Sequence, residues 1–172
     1  MKLVRTFLAT AIAAFAFNAQ AVAINTDGTW NEFDFDAPGS ALYDLNTLET
    51  SFTFTLTQSS LLSVIDAGFS GDRFEIHANG SLLGLTSAPI TQGASEEPIF
   101  DIATLLGDNR FSKGSWNLAA GSYTITGLAA ESVGGGLGYM SITAVPEPKS
   151  YAMLLAGLGL MGTIARRRNR NA

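Results

Sequence analysis

Two apolar segments with cations beside them bracket this chain of 172 residues and fix which part of it can form a globular body. At the front, Lys2 and Arg5 precede an apolar run of 11 residues, 7–17. Two small-x-small triplets follow, Ala19-Gln20-Ala21 and Ala21-Val22-Ala23. This is the layout of a secretory signal peptide, and it is too short for a membrane span. The alternative is a buried N-terminal helix. On the secretory reading signal peptidase cuts after Ala23, or else after Ala21, and residues 1–23 are the leader.

At the other end, residues 151–165 are 15 uncharged, mostly apolar residues. As a helix they reach roughly 22 Å at 1.5 Å each, short of the roughly 30 Å hydrocarbon core. Arg166, Arg167, Arg168 and Arg170 follow at once. Their long side chains can snorkel and extend the effective span, and clusters of this sign stay cytoplasmic. A stop-transfer transmembrane helix over 151–165 is therefore expected, with the middle of the chain across the membrane from the cytoplasm. Gly157, Gly159 and Gly162 give it a small-residue face for close helix approach. An arginine run also reads as a nucleic-acid tail, but beside an apolar segment it is a membrane signal first. Just ahead stands Pro146-Glu147-Pro148. Each proline fixes φ and removes an amide donor, so 145–148 should be an extended linker that a protease can reach.

Triplet, apolar span and arginine run, in this order, resemble the PEP-CTERM sorting domain of exported proteins in Gram-negative bacteria. The resemblance covers about 26 residues. It implies handling by exosortase, a membrane-embedded cysteine protease that recognises the Pro-Glu-Pro region. It also implies transit through the inner membrane to the cell surface or to an exopolysaccharide, biofilm or floc matrix. About the body it implies nothing.

That body, residues 24–144, is one domain's worth of chain. It holds three basic residues (Arg73, Arg110, Lys113) against fourteen acidic ones, a balance of −11 that the whole-chain value of −5 conceals. Such a body repels polyanions, which argues against nucleic acid and leaves neutral polysaccharide or divalent cations as easier partners. Cysteine is absent, so an exported domain of this size must rely on core burial or bound metal.

The hydrophobic period is that of strands. Residues 51–57 alternate strictly, with Phe52, Phe54 and Leu56 on one face and threonines on the other. Residues 61–66 follow after a turn, and 73–78 place Phe74 and Ile76 inward, with Arg73, Glu75 and His77 outward. Asn79-Gly80 closes a two-residue hairpin onto 81–86. Further strands are expected at 114–118, 122–127 and 137–144, and near Phe33 and Phe35. Some eight short strands with polar, glycine-rich turns predict an all-β, antiparallel sandwich or jelly-roll-like body. Residues 99–106 could hold a helical turn or two inside a weakly patterned stretch, 88–110, read as a mobile loop.

The body carries a softer resemblance of its own, to the FxDxF-type ectodomains of PEP-CTERM proteins and some fungal secreted proteins. The matching positions are Asp66, Gly71, Asp72, Phe74, Ile76, Asn79, Gly80, Phe111, Ser112, Gly114, Leu118, Gly121, Tyr123 and Ile125. The acidic position ahead of the first Phe-x-Phe strand is less plain here, with Asp44 or Glu49 to fill it. What the resemblance implies is adhesion or matrix contact.

Chemistry-bearing residues are few. His77 is the only histidine and reads as a solvated outer-face residue, since a general base needs a cleft and an orienting partner. With no cysteine, triads and histidine-rich zinc sites lack material. Carboxylates are plentiful enough for a glycosidase, but no spacing singles out a pair, and a non-enzyme is expected. Oxygen ligands for a structural Ca²⁺ are available in Asp34 with Asp36, and in Asp66 with Asp72 around a glycine-rich turn. The competing reading makes these ordinary turn residues, with Asp72 in a surface pair with Arg73. Trp116 should be core by parity with Leu118, which leaves Trp30 as the candidate for stacking on sugar. The expectation is an exported surface or matrix protein, with exopolysaccharide as a ligand. A small matrix hydrolase and a purely structural filler are the other readings.

Overall fold

Sequence period dictates the architecture. In the computed structural model, residues 21–90, 97–146, 153, 155–158 and 160–161 are described. The expected leader through residue 20, Glu147, Pro148 and the four tail arginines lie outside them. In chain order the elements are β1 (Val22–Ala23), β2 (Trp30–Phe35), β3 (Phe52–Leu56), β4 (Ser60–Ala67) and β5 (Arg73–Ala78). After them come β6 (Ser81–Leu85), helix α1 (Ile102–Gly107), β7 (Lys113–Leu118), β8 (Gly121–Glu131) and β9 (Gly136–Ala144). One sheet runs β1-β3-β8-β5-β6 and the other β2-β9-β4-β7. The expected sandwich is present, and every pairing is antiparallel except one. The short edge strand β1 lies parallel to β3, Val22 opposite Phe52.

Alternation does the sorting. Phe52, Phe54 and Leu56 are buried while Thr55 between them is exposed. Phe74 and Ile76 of β5 are fully buried, and Asn79 and Gly80 turn the hairpin with φ of 49° and 77°. Positive φ at both central residues matches the turn to the strand twist, which is why Asn-Gly serves there. Across the sandwich, Phe33 and Phe35 of β2 meet Phe74 edge-on, with ring centroids 5.1 and 5.2 Å apart. Such edge contacts add to area burial because ring edges and faces carry opposite partial charge. Leu62, Val64, Met140 and Ile142 complete this core from the second sheet.

Strand β4 is buried on both faces. Leu62 and Val64 point into the sandwich, while Ile65 and Ala67 point out and are covered by Leu105 and Phe111. This corrects the reading of 88–110 as a mobile loop, at least for its described part. From residue 97 the chain lies packed over the sheet: Gly68 and Ile99 exchange two backbone hydrogen bonds of 2.7 Å. Asp101 caps α1 by accepting from the Thr104 amide at 2.9 Å. At the other end of α1, Lys113 Nζ donates to the carbonyls of Leu105, Leu106 and Asp108, where helix carbonyls lack partners. The helix, bearing Ile102 and Leu105, lies where a helical turn or two is expected over residues 99–106.

The expected transmembrane helix is only partly described. Residues 153, 155–158 and 160–161 are helical. Among the described residues no helix is long and apolar enough to cross a membrane.

Candidate functional site

The parity that sends Leu62 and Val64 into the sandwich also sends Asp66 inward, at the end of β4. The turn that follows, Ala67 to Gly71, brings Asp72 back beside it. Gly68 and Gly71 supply φ values of 77° and 129° that this turn requires. Asp66 is 0% exposed and Asp72 4%. The Asp72 amide donates to Asp66 Oδ2 at 3.3 Å. Burial pushes the Asp66 carboxyl up to about 8, with the neighbouring Asp72 charge adding to it and backbone amides opposing it. Burial also raises Asp72, against a hydrogen bond from Ser132. Asp66 Oδ1 and Asp72 Oδ1 have no hydrogen-bond partner.

Around the pair lie further buried polar residues. Ser70 sits in the turn, and the Ser112 carbonyl accepts from the Asp66 amide at 2.9 Å. The Ser112 and Thr86 hydroxyls are 3.0 Å apart, and Thr86 Oγ1 accepts from the Phe74 amide. On β9, glycine leaves the room: a Cβ on Gly136 would sit 3.3 Å from Asp72 Oδ2. The reading of Asp66 and Asp72 as solvated turn residues is thereby overturned, and so is the Asp72–Arg73 surface pair. Arg73 instead bonds Glu131 at 2.9 Å and the Thr86 carbonyl at 3.0 Å. Sequence reasoning missed Ser70 and Thr86, and Ser112 entered only as a position of the FxDxF-type resemblance. The signal for Asp66 was available in the spacing Leu62-Val64-Asp66, which puts a carboxylate on the next core position.

The other acidic candidates lie apart. Asp34 belongs to β2 and exchanges backbone hydrogen bonds with Tyr43, whose hydroxyl donates to Asp36 Oδ1 at 2.9 Å. Burial, with Glu32, Asp44 and Asp36 nearby, raises Asp34. Glu32, Asp34 and Asp44 line a cleft of about 170 Å³ with Asn31 and Asn46. No three Asp, Glu or His side chains converge tightly enough to hold a metal among the described residues. Trp30 is half-buried and packs on the cluster under α1 with Ile99, Tyr139 and Leu137, so it is no free-standing sugar platform. Trp116 is half-buried against the main core and roofs Gly114, where a Cβ would lie 2.4 Å from its ring. His77 is on the outer face as expected, its Nε2 2.7 Å from Glu75 Oε1.

A hydroxyl-rich groove crosses the outside of the first sheet. Asp36, Ser40, Ala41, Tyr43, Leu48 and Thr50 line about 460 Å³ of it. Beyond Ala41 and Thr50 it continues for about 230 Å³ past His77, Thr126 and Leu128. Leu48 and Leu128 are exposed there. Hydroxyls, one phenol and short apolar patches without a lysine or arginine suit an uncharged, hydroxylated ligand.

Comparison with known proteins identifies the tail. Residues 144–169 match the PEP-CTERM protein-sorting motif. No curated protein matches the chain. Among solved structures, the pre-peptidase C-terminal domain of a collagenase from Bacillus anthracis is similar at 11% identity and TM-score 0.42, over 72% of this chain and 94% of that one. The C-terminal CBM6 domain of a marine laminarinase from Zobellia galactanivorans is similar at 18% identity and TM-score 0.36, over 67% and 90%. The CBM36-1 domain of a xylanase from the hindgut metagenome of Trinervitermes trinervoides is similar at 12% and 0.36, over 66% and 78%.

Proposed function

We propose that this chain is an exported, non-catalytic surface or matrix protein. On this reading exosortase sorts it and cuts it near Pro146-Glu147-Pro148, and its β-sandwich contacts neutral exopolysaccharide through the groove from Tyr43 to Thr126. The observation that carries the export half is the sorting motif over residues 144–169. It implies an exported protein that crosses the membrane with exosortase as its processing partner. A leader ending at Ala21 or Ala23, cut by signal peptidase, and an anchor over 151–165 held by Arg166, Arg167, Arg168 and Arg170 complete the route.

The polysaccharide half is supported by the groove's chemistry. Ser40, Thr50 and Thr126 offer hydroxyls, and Tyr43 offers an aromatic surface with its own hydroxyl anchored by Asp36. The body's charge of −11 disfavours anionic polymers. The non-catalytic reading is supported by the buried carboxylate pair, which lies too deep for a polymer chain to reach. The softer likeness to FxDxF-type ectodomains points the same way, to adhesion.

One experiment addresses both halves. The wild-type gene and the Glu147→Ala, Tyr43→Ala and Thr126→Arg variants are expressed in the native host. Native product mass, location and retention on the cell's own exopolysaccharide are then measured. Glu147→Ala should leave an unprocessed, membrane-held product, and Tyr43→Ala and Thr126→Arg should be processed normally yet lose retention. Unchanged processing of Glu147→Ala refutes the sorting role, and full retention of both groove variants refutes the ligand site.

A further inference from the structure

The buried end of β4 contains two carboxyl groups whose oxygens the fold does not fully partner. Two carboxylates lie side by side with essentially no solvent, and each has an unpartnered oxygen. Asp66 Oδ2 accepts the Asp72 amide while Oδ1 has no partner. Asp72 is 4% exposed and its Oδ1 has none either. A buried carboxylate oxygen with neither water nor donor is among the costliest groups a fold can contain. The three basic residues of the body serve elsewhere. Arg73 bonds Glu131 and the Thr86 carbonyl, Arg110 bonds Asp108, and Lys113 caps the C-terminal end of α1.

We propose that Asp66 and Asp72 bind one divalent, oxygen-preferring cation of the calcium class through their unpartnered Oδ1 atoms. Two carboxylates and one dication make a neutral buried unit and give both unpartnered oxygens a ligand. Calcium takes oxygen ligands in flexible geometry, carboxylates first and backbone carbonyls, hydroxyls and waters for the remainder. The surroundings are of that kind: a glycine-rich turn, Ser70 and Ser112, with no nitrogen or sulfur ligand close by. The second oxygen of Asp66 already accepts the Asp72 amide, as is usual for ligating carboxylates. Gly136 keeps a side chain out of contact with Asp72 Oδ2. The cation would pin the turn between β4 and β5 to the end of the sandwich, supplying the cross-link that a cysteine-free exported domain lacks. This site is independent of the groove and of the sorting motif.

The test uses the exported protein purified in mild detergent and stripped with chelator. Calorimetric titration with CaCl₂ should give one equivalent per chain. At a hundredfold excess over the dissociation constant the melting temperature should rise by roughly 5 °C or more, and chelator should reverse the rise. Asp66→Asn and Asp72→Asn should abolish both signals, while Asp34→Asn and Asp36→Asn should retain them. If Asp66→Asn fails to fold, the wild-type stoichiometry and Asp72→Asn decide. A wild-type protein that binds no calcium and melts identically with and without chelator overturns the proposal, and leaves a shared proton as the pair's neutraliser. A calcium response that disappears with Asp34→Asn or Asp36→Asn and survives Asp72→Asn also overturns it.

Discussion

Two small-x-small triplets sit two residues apart at the end of the leader, and the fold distinguishes their products. A cut after Ala21 leaves Val22 as the first residue, and a cut after Ala23 leaves Ile24. Val22 is half-buried against the main core and its amide donates to the Ser51 carbonyl at 2.9 Å. Its own carbonyl accepts from Thr53 Oγ1 at 3.4 Å. Loss of Val22–Ala23 forfeits one good hydrogen bond, worth about 1 kcal/mol net, and about another 1 kcal/mol of apolar burial. It also moves the terminal ammonium, protonated at neutral pH, onto Ile24. That residue is 7% exposed and its nitrogen lies 3.1 Å from the Thr53 carbonyl. Charge at such a position adds a desolvation cost, for a total of about 2–4 kcal/mol. For a body of this size that is a fall in melting temperature of roughly 8–15 °C. The assay pairs intact mass of the native protein with thermal melts of recombinant chains beginning at Val22 and at Ile24. The expected result is a mature N-terminus at Val22 and the stated gap in melting. A native product beginning at Ile24, or two chains that melt together, would refute the reasoning.

Two further outcomes follow from the core. Without divalent metal, Asp66 keeps a proton up to about pH 8 in the folded protein that an unfolded aspartate gives up near pH 4. Between those values the folded state binds more protons, so stability declines as pH rises and levels off above about 8. The total fall should be several kcal/mol, read from denaturant melts in chelator, and Asp66→Asn should flatten the profile. Gly138→Ala should cost about 3 kcal/mol or more by the same melts. A Cβ there would lie 2.5 Å from Phe33 Cζ and 2.7 Å from the Ile65 carbonyl oxygen, and neither a buried ring packed edge-on against Phe74 nor a ladder carbonyl can retreat cheaply.

Where one physical rule governs a segment, the sequence was legible. Strict alternation located β3 and β5, and Asn79-Gly80 located β6 beside β5, because strand pleat and turn twist depend on a few adjacent residues. Val22–Ala23 was not legible as a strand, since two residues carry no period and the same letters also read as a leader's cleavage region. The half-buried setting of Trp30 was not legible either, because the cluster it packs against comes from residues distant in the chain, Leu105 and Phe111 among them. The helix over β4 lacked any strand signal, and its apolar residues gained meaning only once Ile65 and Ala67 required a partner on the outer face.

The acidic residues divide by the same logic, and the division bears on function. Composition gives a charge of −11 but does not say which carboxylates face water. Asp27, Asp101 and Asp108 are held below their ordinary range by hydrogen bonds from Thr29, Thr104 and Arg110. They therefore ionise readily and keep the body soluble and repulsive to polyanions. Asp66 and Asp72 are raised instead, because parity and a glycine turn place them where a Leu or Val would otherwise stand. A pair placed so expensively at the end of the central strand β4 adds nothing to solubility. Its value to the fold depends on what neutralises it, a proton or a dication. An exported protein meets, beyond the membrane, a medium richer in free divalent cations than the cytosol. Exchange of a proton for a cation at Asp66 would couple firm closure of the sandwich to arrival outside the membrane, the destination that the motif at residues 144–169 encodes.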